Sequence, residues 1–412
     1  MRKAEPPAEL PPPQNVAVSG EASIEKVTVI GSVYGSVTLG EGPGRTHDRR
    51  DSPAFGDVRD TMERRSFLRA IGAGVGIPLT DSTVEAVEFT RSRTEQYLLA
   101  GGPARGVFDA WEETLHGHAL RYATAPPLAY LRELLSDMID LQDLLEACRL
   151  PHAQKKALRL MGRLSGMVAV VVDDLGRPAE SRKWMQLARR LSLEIRDREL
   201  RAWTFARAGF IALHYSASLR EATRLAQAAV DTAPRKSPAA TVMGHTVTSR
   251  AQAVLGDRQG VLRSLDLADQ THGASPAHEH LGLFDWTVQQ AALSRGVALS
   301  TLGLTGPALS AHTAALALFD SSEWLDPALV RLNQAALLVR RVDVEEGCRL
   351  AGSVLTGIPA EHRSHLLASW ADDVIRDIPA PMIATSEAQY LLEVRRHFTP
   401  TGDPSDKDRA AG

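Results

Sequence analysis

Between residues 162 and 366 the chain repeats one arrangement: two helical stretches, with a small residue wherever the pair must cross closely. Laid on a repeat template of 34 residues, five windows begin near Gly162, Trp203, Val242, Gln289 and Ala328. Their eighth positions hold Ala169, Phe210, Ser249, Gly296 and Ala335, and their twenty-seventh hold Ala188, Ala229, Ala268, Ala315 and Val354. Pro234 and Pro359 fall where the second helix of a window has to stop, which a residue without an N–H enforces. One such pair cannot bury its apolar stripe alone, so neighbours stack into a curved superhelix with a concave groove. The pattern predicts an all-α solenoid of antiparallel helix pairs over 82–398.

The windows start roughly 39 to 47 residues apart, so helices or loops exceed the template. Phe210 stands where a small residue belongs, and the large aromatic wanted early in each first helix is mostly missing. Turn chemistry supports the register. Leu175-Gly176-Arg177, Leu255-Gly256-Asp257 and Leu302-Gly303 each end a first helix with a residue free to take positive φ. Upstream, Phe108, Trp111, Leu115 and Leu120 lie at helical spacing. So do Leu128, Leu131, Leu134, Leu135, Met138 and Leu141, after the Pro126-Pro127 start signal. Aromatics make up only 5% of the chain, which suits helix on helix better than a β-sandwich.

The N-terminal part is of another kind. Residues 1–25 are proline-rich and predicted to be disordered. In 26–40 the pattern alternates: Val27, Val29, Gly31, Val33, Gly35, Val37 and Leu39 on one side, mostly Ser, Thr and Tyr on the other. Strict alternation indicates a strand. Residues 41–81 mix Gly, Pro, Asp and Arg without periodicity and read as a linker, and 399–412 read as a frayed tail.

The helical windows resemble degenerate tetratricopeptide repeats. Asp174-Leu175-Gly176-Arg177-Pro178-Ala179 through Leu187-Ala188, and the stretch from Ala251 to Asp257, look like the repeat region of regulators from high-G+C Gram-positive bacteria. Those regulators carry a phage-repressor-type helix-turn-helix domain in front of the repeats. No such pattern precedes Met62, so DNA recognition is not carried over to any residue here. Arg64-Arg65-Ser66-Phe67-Leu68-Arg69 and the Ala/Gly run to Pro78 also look like a twin-arginine export signal, but they lie more than sixty residues into the chain and no Ala-x-Ala cleavage site follows, so a short docking helix is the favoured reading. Val37-Thr38-Leu39-Gly40 is similar to the core of the homotypic motif of bacterial amyloid-signalling proteins, with Thr38 in place of the usual Gln. The resemblance implies self-assembly through Val27, Val29, Gly31, Val33, Gly35, Val37, Thr38, Leu39 and Gly40. A short, uncharged, β-branched run with unpaired backbone groups can stack on copies of itself; docking on the solenoid and plain disorder are the alternatives.

Nothing in the sequence assembles a catalytic, cofactor or metal site. Signatures for phosphate loops, α/β-hydrolases and zincins are absent. His278-Glu279-His280 lacks companion ligands and reads as a solvated loop. Asp173-Asp174 and Asp372-Asp373 read as helix-end solvation, and Arg182, Lys183, Arg189 and Arg190 as a solvated basic face. A net charge of -3 gives no reason to expect nucleic acid. Forty arginines against seven lysines fit a G+C-rich genome. Cys148 and Cys348 are too few for a disulfide framework, and no apolar run is long enough to span a bilayer. The expectation is a cytoplasmic, non-enzymatic regulatory or signalling protein. Its groove would bind a protein, peptide or small effector, its N-terminal strand would be a route to homo-oligomers, and it would make no integral membrane contact. The alternative is an effector sensor acting with a separate DNA-binding partner, and an exported protein is a remoter one.

Overall fold

The computed structural model of the chain describes residues 105–214, 218–235, 237–273, 282–341 and 343–401. The strand-like segment 26–40, the linker with Arg64 and Arg65, the predicted solenoid start at 82–104, His278 to His280, and the tail from 402 lie outside the described residues. Within them the protein is helical, with no strand. The helices are α1 (Arg105–Arg121), α2 (Pro127–Ala147), α3 (Pro151–Asp174), α4 (Pro178–Glu194), α5 (Arg198–His214) and α6 (Leu219–Thr232). They continue as α7 (Ala239–Val254), α8 (Arg258–Gly273), α9 (Val288–Thr301) and α10 (Thr305–Leu316). The last four are α11 (Leu325–Arg341), α12 (Val344–Gly357), α13 (His365–Arg376) and α14 (Ser386–His397).

Local chemistry sets the ends of these helices. Pro127, Pro151 and Pro178 open α2, α3 and α4 at positions whose N–H would have no partner in the helix anyway. Ser218, Asp343, Ser364 and Thr385 cap α6, α12, α13 and α14 through side-chain oxygens, and Thr287 with Gln290 forms a capping box on α9. The predicted glycine turns are present. Gly176, Gly256 and Gly303 have φ of 75°, 72° and 73°. At each, the next residue's N–H reaches back to a carbonyl of the last turn: Arg177 to Val172, Asp257 to Gln252 and Leu304 to Leu299, all at 3.0 Å. Arg196, with φ 57°, makes the same turn after α4 without glycine.

Every small position of the repeat pattern is buried in the contact it was expected to serve. Ala169, Ala188, Ala229, Ala315 and Ala335 are fully enclosed, and Ser249, Gly296, Ala268 and Val354 are buried too. They let α3 pack on α4, α5 on α6, α7 on α8, α9 on α10 and α11 on α12. The stack is solenoid-like: successive pairs also touch through their first helices, α3 on α5, α5 on α7, α7 on α9, α9 on α11, and α11 on α13. The curvature is strong enough to complete a turn. Helix α13 comes back against α3, so six first helices form a closed ring and the second helices lie outside it.

Tight contacts mark the seam. The α-carbon of Gly176 sits so close to His365 that an added Cβ would lie 2.4 Å from its Cγ. Beside it, the Trp324 and His362 rings lie 5.5 Å apart, and both border a small cavity shared with Tyr122 and Tyr130. The chain stays anchored as far as Thr401, whose N–H and Oγ1 donate to the Arg363 carbonyl at 2.8 and 2.6 Å.

Candidate functional site

The middle of the ring holds a cavity of about 80 Å³. On the same measure one water needs about 10–15 Å³, so the space takes several waters or one small polar group with its body. Apart from Tyr122 and Trp286, every lining residue comes from the first helix of a pair, and all six of those helices contribute. The sequence alone does not show which residues of these helices face inward. The structure supplies them.

One wall is acidic. Asp173 and Asp174 end α3, and Asp326 lies in the first turn of α11. The expectation that Asp173 and Asp174 are merely solvated at a helix end is corrected: only 2% and 5% of their surface is exposed, because the returning helices cover that end of α3. Adjacent residues on a helix point 100° apart, yet both line this cavity because it lies over the helix terminus. Tyr122 Oη donates to Asp174 Oδ2 at 2.9 Å, and His214 Nδ1 lies 3.4 Å from Asp173 Oδ2. Burial, reinforced by the neighbouring Asp173 charge, raises the Asp174 carboxyl well above the ordinary range. Burial likewise lifts Asp326 to about 6, against the opposing pull of Arg207 and a hydrogen bond with Gln290.

The other wall is a ladder of rings and guanidinium groups. Arg207 lies 5.7 Å from both the Trp203 and Trp286 rings, Trp286 stacks on Phe210 at 5.0 Å, and Arg250 sits 5.7 Å from Phe210 and 6.0 Å from Trp370. Such faces hold a cation with little need of a counter-ion. A short 3-10 turn, Gly282–Phe284, props up this wall. Its Leu283 carbonyl accepts from Trp203 Nε1 at 3.1 Å and Arg207 Nη2 at 2.9 Å, and Phe284 packs on Trp203 and under Arg163. Gly282 is required there: at φ 56° its α-carbon abuts the Ala119 backbone, where a Cβ would lie 2.3 Å away.

The donors on this wall are poorly matched. Among the described residues Arg250 has no ion pair or hydrogen bond, and burial alone lowers it, to about 10. It therefore keeps its charge at neutral pH. Trp286 is 5% exposed and its Nε1 has no acceptor among the described residues; Arg207 Nε also lacks one there. A buried unmet donor costs about 1–3 kcal/mol, and groups left in that state call for an explanation.

Other sequence-marked residues lie away from the cavity. Asp372 accepts from Arg395 Nε and Nη2 at 2.8 and 2.9 Å, and Asp373 from Arg376 at 2.6 Å. Of the basic face, Lys183 pairs with Glu180 at 2.7 Å in solvent. Arg189 departs from the expectation: its guanidinium lies 4.3 Å over the Phe205 ring, packed between α4 and α5 rather than solvated. Cys148 and Cys348 are buried free thiols remote from the site. No cluster of three His, Cys, Asp or Glu is placed to hold a metal ion among the described residues. No described helix is long and apolar enough to cross a membrane.

Phe210 was visible in the sequence as a departure from the repeat pattern, and that departure was a usable signal. The large ring at a small-residue position is what reaches into the cavity and carries Trp286 and Arg250. Arg250, Trp286 and Trp370 gave no local signal, since they come from separate helices and loops and meet only through the curvature of the stack. No protein-family model, curated protein or solved structure matches the chain.

Proposed function

We propose that the protein is a cytoplasmic, non-enzymatic sensor or adaptor of the tetratricopeptide type, which regulates by holding a ligand against the inner face of its helical ring. The observation that carries this reading is the convergence of all six first helices on one cavity with unmet donors. In stacked-pair proteins the concave face is the usual place of binding, and a concave, mostly apolar pocket with a few polar groups is the usual form of a ligand site. A ligand touching several pairs at once would favour one curvature of the stack over another, and a change of curvature is a signal that a partner can read. The resemblance to repeat regions of bacterial regulators supports a second, narrower version, in which that partner is a separate DNA-binding protein.

A photo-crosslinking residue placed at Trp370, inside the ring, and in parallel at Leu187, exposed on α4, tests the reading in the full-length chain. The reading requires adducts at position 370 that are absent at 187 and that a bound ligand competes away. Adducts at 187 alone, or turnover of the captured molecule, would overturn it. A helix-turn-helix protein co-purifying with the chain would select the narrower version.

A further inference from the structure

Resting on this reading of the cavity, we infer that its ligand is a small monocarboxylate with an apolar body, its carboxylate accepting from Arg250 and the Trp286 indole N–H. Arg250 is the only arginine lining the cavity whose guanidinium has no acceptor of any kind among the described residues. Its charge is held between the Phe210 and Trp370 faces at 5.7 and 6.0 Å, which fixes the guanidinium plane yet leaves its N–H edge unspent. Trp286 adds a second donor that is 95% enclosed, has no acceptor among the described residues, and belongs to the ring stacked on Phe210. The open edge of Arg250 suits acceptor oxygens, and a carboxylate offers two in the geometry a guanidinium matches; the enclosed Trp286 N–H is the second donor such a group would draw on.

The rest of the lining narrows the class. Asp173, Asp174 and Asp326 share the cavity. A phosphate ester brings about 1.5–2 negative charges at neutral pH and would meet these acids at short range, whereas a single charge directed at Arg250 would be repelled far less. Val170, Ile211, Leu293, Leu325, Leu329 and Leu366 make up most of the remaining lining, with His214, Gln290 and Ser294 between them, and this apolar majority suits a hydrocarbon body. With about 80 Å³ available, the body is a short alkyl or single-ring group, not a folded peptide.

Calorimetric titration of the full-length protein with acetate, butyrate, hexanoate and phenylacetate tests this, with phenethylamine, 2-phenylethanol and inorganic phosphate as controls. The expected result is saturable binding that tightens from acetate toward hexanoate or phenylacetate, is absent with the amine and phosphate, and is weaker by at least about tenfold with the alcohol. Arg250→Gln should weaken the carboxylates by about tenfold or more, Arg250→Lys by less, and Arg190→Gln, on the outer surface, not at all. Circular dichroism and melting of each variant establish that it is folded; if Arg250→Gln is not, Trp286→Phe, which removes the N–H donor together with one ring of the indole, takes its place and should weaken the carboxylates severalfold more than it weakens 2-phenylethanol. Equal affinity in folded Arg250→Gln, preference for the amine or phosphate, or no saturation by any carboxylate in the millimolar range would overturn the inference. Position-370 crosslinking that persists in the Arg250→Gln variant would leave the binding role standing while this ligand class falls.

Discussion

The seam between α3 and α13 can be weighed against a control within the same chain. Gly176 and Gly256 occupy the same turn after a first helix, with φ of 75° and 72°. Alanine in that left-handed conformation costs about 1–2 kcal/mol at either position. Nothing lies within 4 Å of a Cβ added at Gly256, so its loss should end there. At Gly176 the added carbon would meet His365 Cγ at 2.4 Å and Cβ at 2.8 Å. Because the Cβ is rooted in α13, relief requires the helix itself to shift, an overpacking cost of about 1–3 kcal/mol. Gly176→Ala should therefore lose about 2–5 kcal/mol in all, and His365→Ala in the same chain should recover part of the excess by removing the imidazole. Urea unfolding followed by circular dichroism gives the totals, and hydrogen exchange over 365–376 locates the excess. If both glycine variants lose the same stability, or α13 exchanges no faster in Gly176→Ala than in Gly256→Ala, the closed ring is wrong.

Other expectations are independent of the seam. The folded pKa of Asp326 is raised to about 6, so the folded state holds a proton that the unfolded state releases near pH 4; stability contributed at low pH is then lost as pH rises from about 4 to 6, and Asp326→Asn should flatten that part of a melting-temperature profile, an unchanged slope refuting the assignment. Ala315→Phe should destabilise by about 1–3 kcal/mol by overpacking α9 on α10, against under about 0.5 kcal/mol for Arg190→Ala at an exposed position; comparable melting temperatures for the two would count against the register of the repeats. Arg189 is not a fair surface control for this comparison, because it packs on Phe205. In the N-terminal segment, Val33→Asp with Val37→Asp should abolish dye-reported assembly of a 20–45 peptide while leaving the helical melt unchanged, and dye-negative monomers of both the parent peptide and the intact protein would rule out homotypic pairing.

Much of the fold was legible because it rests on short-range rules. Alanine at Ala169, Ala188, Ala229 and Ala315 is required by the crossing of two adjacent helices, and glycine at Gly176, Gly256 and Gly303 by one turn. Both requirements act within a single repeat, so the sequence records them at fixed spacing. The site does not arise that way. Asp174 and Asp326 share a cavity only because small rotations between pairs add up to a full turn. No residue in the sequence carries that sum, and so Asp173 and Asp174 look in the sequence like an ordinary polar helix end.

Closure also bears on how the chain folds. In an open stack each pair touches only its neighbours, so folding can nucleate anywhere and the terminal pairs fray first. Here the contact of Gly176 with His365 joins residues about 190 positions apart, and a link of that span forms only after the intervening pairs are ordered. The seam is thus a late event that exchanges two fraying ends for one cooperative unit. Damage to any single pair between α3 and α13 would then slow completion of the whole ring rather than loosen one segment of it.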